Sequence, residues 1–326
     1  MDMGARQARR EERRRRIRRR RRVALSSLAL LAIAAAAIAI TAGGSSSGTS
    51  GTSGTASSGA SSSHAAASSA GSKTGSVPSS TAALTGPPGT EPVPILMYHV
   101  IAPAPAGAPF PGLYVTPAQF SKEMQALKAA GWHAVTLDQV ESYWTRGVPL
   151  GVGKPIVLSF DNGYNSQYTQ ALPVLRSLGW VGVENLQLSG LPPSQGGLGP
   201  GQIQGLLSAG WELDTQGFSH ADLVTLDAEE LHYQVAVARS VLQRRYHVPV
   251  NWFCYPSGHY NAAVIAAVRA AGYSGSTTVI PGWAHPSEDP YRLHRLRVLG
   301  GTTGDELLSL LAGIRDDGPA PSYYGT

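Results

Sequence analysis

The sequence predicts an α/β fold, an incomplete or distorted (β/α) barrel, preceded by a transmembrane helix and a disordered linker. Three observations carry this reading. Past residue 91, apolar segments of strand length alternate with helical patterns, the signature of repeated βα units and a largely parallel sheet. No Gly-rich phosphate loop accompanies them, so six or seven such units suit a distorted barrel better than an open doubly wound sheet. Polar residues gather just after the strands, at His99, Asp161, Gln216, His220 and the turn Tyr255-Pro256-Ser257-Gly258; in barrels that rim is where chemistry sits.

The elements follow in order. Residues 1–22 form an Arg-rich tail with 12 Arg against 3 acidic residues, so the rest of the chain is net negative although the whole carries +5. Residues 23–42, Val23 to Ala42, are apolar and uncharged, and about 20 such residues span a bilayer. Arginines directly before the span keep the amino terminus cytoplasmic and place the C-terminal bulk outside. A cleaved signal peptide, cut after Ile40-Thr41-Ala42, is the alternative to an uncleaved anchor. The apolar run makes the membrane, and not nucleic acid, the partner of the arginine block. Residues 43–90, a Ser/Gly/Ala/Thr linker, lack the apolar surface to offset ordering; such a coil reaches roughly 35–40 Å. Cys254 is the sole cysteine, so no intramolecular disulfide forms and stability must come from a core.

Residues 91–316 form the folded domain, with a C-terminal tail over 317–326. Strands are predicted at 95–100, 133–137, 155–161, 181–186, 211–215, 252–255 and 273–277. Thr116-Pro117 opens a helix, Thr as N-cap and Pro at the first turn, with Phe120, Met124 and Leu127 on one face until Gly131. Asp227 with Glu230 three residues on opens a long helix over 228–246, and another spans 262–271 before Gly272.

The segments PILMYHV, LSFDNGY, WELDTQGFSHADL, FCYPSGHYN and EDPYRLHRLRV occur in that order. Together they resemble the polysaccharide deacetylases of carbohydrate esterase family four, the NodB-homology domain, and are especially similar to its exopolysaccharide branch. The resemblance covers about residues 92–315 and implies hydrolysis of N-acetyl groups on N-acetylhexosamine polysaccharide or cell-wall glycan. It also implies a divalent metal, usually zinc, held by one Asp and two His residues. Asp161 stands at the position of the family's catalytic base. The metal ligands fall on Asn162, Gln216 and His220, so two of three are replaced. His99 and the turn Tyr255, Pro256, Ser257 and Gly258 take the place of the substrate and oxyanion pocket.

Carboxamide oxygens are poor ligands for zinc, so two of them with one imidazole should hold it weakly. Asn162 is read either as a degenerate ligand or as half of an Asn-Gly turn, and Gln216 either as a ligand or as a hydrogen-bonding replacement without metal. The chain is therefore a membrane-tethered extracytoplasmic deacetylase with a remodelled or weak metal site, or a catalytically inactive glycan-binding relative on the same barrel.

Overall fold

The computed structural model describes residues 86–191 and 196–313. The Arg-rich tail, the apolar run 23–42, nearly all of the linker and the C-terminal tail lie outside the described residues. Among the described residues no helix is long and apolar enough to cross a membrane.

The domain is a curled sheet of parallel strands with helices on its outside. In chain order the elements are β1 (Ile95–Tyr98), α1 (Pro117–Ala129), β2 (Trp132–Val135), α2 (Leu137–Arg146), β3 (Lys154–Asn162), α3 (Leu172–Leu178) and β4 (Val183–Leu186). Then come α4 (Pro200–Ser208), β5 (Glu212–Thr215), α5 (Ala228–His232), α6 (Ala238–Tyr246), β6 (Trp252–Cys254), α7 (Ala262–Ala270), β7 (Gly275–Thr277), β8 (Leu296–Arg297) and α8 (Gly304–Gly313). The strands run β7-β6-β5-β4-β3-β1-β8, with β2 beside the first half of β3.

Register sorts the side chains into two faces. Met97 lies beside Ser159, and Asp161 beside Asn185 beside Asp214, so these share the inner face. Their chain neighbours Leu96, Tyr98, Leu158 and Phe160 point the other way and pack with Phe120, Met124 and Leu127 of α1 and Leu172 and Leu175 of α3. A second outer cluster joins Leu213 and Phe253 to Leu242 of α6 and Val264 and Val268 of α7. The floor of the inner face is apolar, built from Val93, Ile95, Val135, Val157, Val183, Trp252 and Leu293.

The sheet's two ends are joined by a short segment. Leu293 bridges Thr277 of β7 in parallel, and three and four residues later Leu296 and Arg297 pair with Leu96 and Met97 of β1. This closing segment turns a curled sheet into a distorted barrel. β8 is not among the predicted strands, because two residues leave no periodicity to read.

Several local expectations hold. Thr116 Oγ1 accepts from the Gln119 N–H at 3.2 Å, and Asp227 Oδ1 accepts from the Glu230 N–H at 3.0 Å. The helix predicted over 228–246 is broken by a π turn, Tyr233–Val237, and a second π turn, Gln167–Ala171, precedes α3. Both turns carry a glutamine that serves the rim.

Candidate functional site

Strand β3 delivers Asp161 to the rim, and Asp161 is 1% exposed. The closing segment supplies its partner. Arg295, wholly buried, donates from Nη1 to Asp161 Oδ1 at 2.8 Å and from Nη2 to Oδ2 at 2.9 Å. Asn185 Nδ2 of β4 donates to Oδ1 at 2.8 Å, and the Cys254 thiol lies 3.6 Å from Oδ2. Arg295 is itself fixed by Nε donating to the Thr278 carbonyl at 2.7 Å and Nη1 to Ser159 Oγ at 3.1 Å. Burial alone would raise the Asp161 pKa, but the Arg295 charge, His99 and the hydrogen bonds from Arg295 and Asn185 bring it down to about 2. A two-pronged guanidinium contact of this kind is among the stronger charge-assisted arrangements.

His99 stands at the C-terminal end of β1 with Nε2 3.9 Å from Asp161 Oδ2. Burial lowers its pKa to about 4, against the pull of Asp161, so the ring is neutral near pH 7. Burial pushes the Cys254 thiol up to about 12; it is a protonated packing residue, as its place between Phe253 and Tyr255 suggests.

Asn162 ends β3 with a φ of 81°, in the left-handed region that Asn tolerates better than most residues. Gly163 follows at φ 86°, and a Cβ there would come within 2.6 Å of Leu186 Cδ1. The Asn-Gly pair is therefore a working turn, in line with one of its two readings. Asn162 is 9% exposed, and its side chain makes no hydrogen bond among the described residues. Gln216 lies at the end of β5, its N–H bonded to the Leu186 carbonyl at 2.9 Å. It is 3% exposed, and its Oε1 is buried without a hydrogen-bond partner. An acceptor left so costs about 1–3 kcal/mol.

The loop from Gln216 to His220 is held from two sides. Leu188 and Ser189 donate their N–H groups to the carbonyls of Gly217 and Phe218 at 3.1 and 2.6 Å. Gln234, in the π turn before α6, accepts from the Phe218 N–H through its carbonyl at 3.1 Å and from the Ser219 N–H through Oε1 at 2.8 Å. Gln167, in the other π turn, donates from Nε2 to the carbonyls of His99 and Asp161 at 3.0 and 2.9 Å. Such bulges leave a helix with groups free for other partners, and here both serve rim loops. His220 stands at the exposed end of its loop; partial burial of its ring lowers its pKa, and it lies close enough to Asp161 and His99 to interact with both.

The turn after β6 divides its parts. The Tyr255 ring lies in the outer core, stacked on Tyr260 at 4.8 Å, and its hydroxyl donates to the Tyr291 carbonyl at 3.0 Å. The N–H groups of Gly258 and His259 bond back to Tyr255 and Pro256. Ser257 is exposed at φ 57°, so an oxyanion contact from this turn would have to come from its backbone at Ser257.

The donor set does not fit zinc. Both oxygens of Asp161 are taken by Arg295 and Asn185, and Asn162, Gln216 and His220 offer two neutral amides and one imidazole. Among the described residues no group of three or more His, Cys, Asp or Glu is arranged to hold a metal ion. Sequence reading did not assign Arg295, Asn185, Gln167 or Gln234 to the rim. Only Arg295 lay within a family-like segment, and three neighbouring cationic or His residues in RLHRLRV hid which one turns inward.

The site thus sits at the C-terminal rim of a curled parallel sheet closed into a distorted barrel. Residues 151–276 match the family model described as polysaccharide deacetylase. A Bacillus subtilis protein whose name assigns it to the polysaccharide deacetylases, YxkH, is 26% identical over 212 residues, which is 65% of this chain and 73% of that protein. The structure of Streptococcus pyogenes deacetylase PplD in complex with acetate superposes with a TM-score of 0.63 at 23% identity, covering 68% of this chain and 99% of that one. A polysaccharide deacetylase from Bacillus cereus gives a TM-score of 0.60 at 23% identity, over 68% of this chain and 69% of that one. Over residues 151–276 the chain is thus similar to the polysaccharide deacetylases.

Proposed function

We propose that this chain is a membrane-tethered, extracytoplasmic member of the family that recognises N-acetylated amino-sugar polysaccharide, such as cell-wall glycan, without efficient turnover. The family supports a polysaccharide as partner, and the arginine-flanked apolar run supports the tether. One observation carries the preference for recognition over hydrolysis: both metal-ligand replacements are neutral amides, while the retained acid is clamped by Arg295. A carboxylate with a pKa of about 2 is a weak acceptor for a proton from ordinary water, so it needs a strong Lewis acid beside it. The second reading, slow N-deacetylation, is favoured by Asp161 itself, held ionised and rigid where the family's base stands.

Reversing the replacements tests the proposal. Asn162→Asp with Gln216→His restores one carboxylate and two imidazoles, and zinc affinity measured by calorimetry should rise by orders of magnitude. The natural protein, purified as residues 91–326 together with the full chain, should release little or no acetate from acetylated chitin oligomers with zinc present. Rapid acetate release by the natural protein, abolished by Asp161→Asn, would overturn the preference for recognition. Unchanged zinc affinity in a folded double variant would show that these side chains do not converge.

A further inference from the structure

We infer that the bottom end of the barrel, opposite the Asp161 rim, is a two-fold interface for a second copy of this chain, built on an apolar groove and an exposed valine at its lip. The interface is independent of what the rim binds. Trp132 and Lys154 are the first residues of β2 and β3, whereas Asp161 lies seven residues further along β3, about 23 Å away. Between these strand starts and α8 runs a groove of about 560 Å³, lined by Trp132, Trp283, Leu308 and Leu311, with Glu91 and Lys154 also on its wall. The two indole rings meet edge to face at 5.8 Å.

Three observations select a copy of the same chain as the occupant. First, the turn that enters β3 presents an apolar knob beside the groove. Gly151 and Gly153 sit at φ 99° and 104°, a region that favours glycine, and a Cβ at Gly153 would come within 2.8 Å of the Gly131 carbonyl oxygen. The His133 ring packs against both glycines and its Nε2 is bonded to the Leu150 carbonyl at 2.7 Å, which fixes the turn. Val152 between them is 99% exposed, more than any other large apolar side chain among the described residues. A lone exposed valine is ordinary, but this one is held next to a groove of matching chemistry. Second, the charges on the groove are self-complementary. Lys154 donates from Nζ to the Ala130 carbonyl at 3.0 Å and lies over the Trp132 ring at 5.6 Å, and neither it nor Glu91 makes an ion pair among the described residues. A two-fold axis sets each feature against its counterpart, so Glu91 meets the partner's Lys154 twice over and each Val152 enters the facing groove. Third, aromatic and aliphatic groups at the centre with charges at the edge is the layout of a protein interface. The apolar wall offers little to the hydroxyls of a sugar, which lose their water without gaining partners. Joined at the bottom, the two copies keep both Asp161 rims open and facing apart.

The test is light scattering of the full chain in detergent over a concentration series, with thermal unfolding confirming that each variant is folded. The natural chain should dimerise, and Val152→Asp should raise the dissociation constant tenfold or more. Glu91→Lys and Lys154→Glu, each of which sets like charges against each other across the axis, should each weaken the dimer by a similar factor. Mixed in equal amounts, these two variants should form a heterodimer within about threefold of the natural affinity, because every facing pair is then opposite in charge. Mixing cannot repair an ion pair within one chain, so a mixture as weak as the single variants would overturn the two-fold pairing. A chain that is monomeric throughout, or a dimer that Val152→Asp leaves unchanged, would overturn the interface. A monomeric chain retained by immobilised cell-wall glycan, and released by Val152→Asp, would overturn it too and give the groove to a sugar.

Discussion

The rim and the floor of the barrel both bury carboxyl groups on the same inner face, and they treat them in opposite ways. At the rim Asp161 meets Arg295 and its pKa falls to about 2. Toward the floor Glu212 and Asp214 of β5 meet each other and Asp138 of α2, with no cation among them. Asp138 accepts from Asn251 Nδ2 and from Trp252 Nε1 at 3.0 Å, Asp214 accepts from the Trp252 N–H at 2.8 Å, and Glu212 accepts from the Asp138 N–H at 2.9 Å. Burial raises Glu212 to about 7 and, with the Glu212 charge, lifts Asp214 well above the ordinary carboxylate range. Burial is common to both ends; the partner decides the outcome. The rim therefore holds a fixed ion pair, and the floor holds a proton.

The largest effect should come from making the rim resemble the floor. Arg295→Met removes the cation and leaves Asp161 buried beside neutral groups, at a loss of about 3–5 kcal/mol in urea unfolding. A loss under about 1 kcal/mol would mean that solvent, and not Arg295, carries the Asp161 charge.

A smaller effect should separate the two ends by pH. Glu212 is raised above its ordinary 4.5 to about 7 in the fold, so the folded state binds more protons in that interval and stability falls as pH rises through it, by on the order of 2–3 kcal/mol. Asp161 has the opposite sign, its contribution being present above about 4 and lost only as pH falls toward 2, so it is silent between pH 5 and 8. Glu212→Gln should flatten the decline in urea midpoint between pH 5 and 8. An unchanged slope would place the titrating group elsewhere.

The smallest effect concerns a third environment, a carboxyl with neutral donors only. Glu123 of α1 is raised by burial to about 6, against hydrogen bonds from Gln119 and Tyr98 that lower it; the Tyr98 hydroxyl donates to its Oε2 at 2.9 Å. Tyr98→Phe should remove about 1 kcal/mol, more at pH 7.5 than at pH 5, because a bond to the ionised carboxylate is stronger. Equal losses at the two pH values would show that Glu123 does not change charge between them.

The strands with long apolar runs were legible in the sequence because the register that buries them is written in adjacent residues. Pro155 to Asp161 is the clearest, and the observed β3 extends it by one residue at each end. The N-caps Thr116 and Asp227 were legible for the same local reason. At the site, the sequence pointed to Asp161, His99, Gln216 and His220 at strand ends, and the structure brings them to one rim. It did not reveal the carboxylate's partner, since Arg295 lies 134 residues away and nothing local distinguishes it from Arg292 or Arg297. The glutamines in the two π turns were equally hidden, because a π turn leaves the helical pattern almost intact while shifting which groups are free. Tyr255 shows the converse: the motif named the turn, but tertiary packing took its ring into the outer core.

The closing segment also constrains how the protein can be made. Residues are synthesised from the amino end, so all of β1 to β7 leave the ribosome before Arg295 does. Until then Asp161 has no counter-charge, the interior cannot dry without stranding it, and β1 lacks its outer neighbour. The contacts that complete the barrel join residues near 96 to residues near 296, and such distant pairings form late. Completion of the barrel therefore waits on a five-residue stretch, Leu293 to Arg297, that pairs with both β7 and β1.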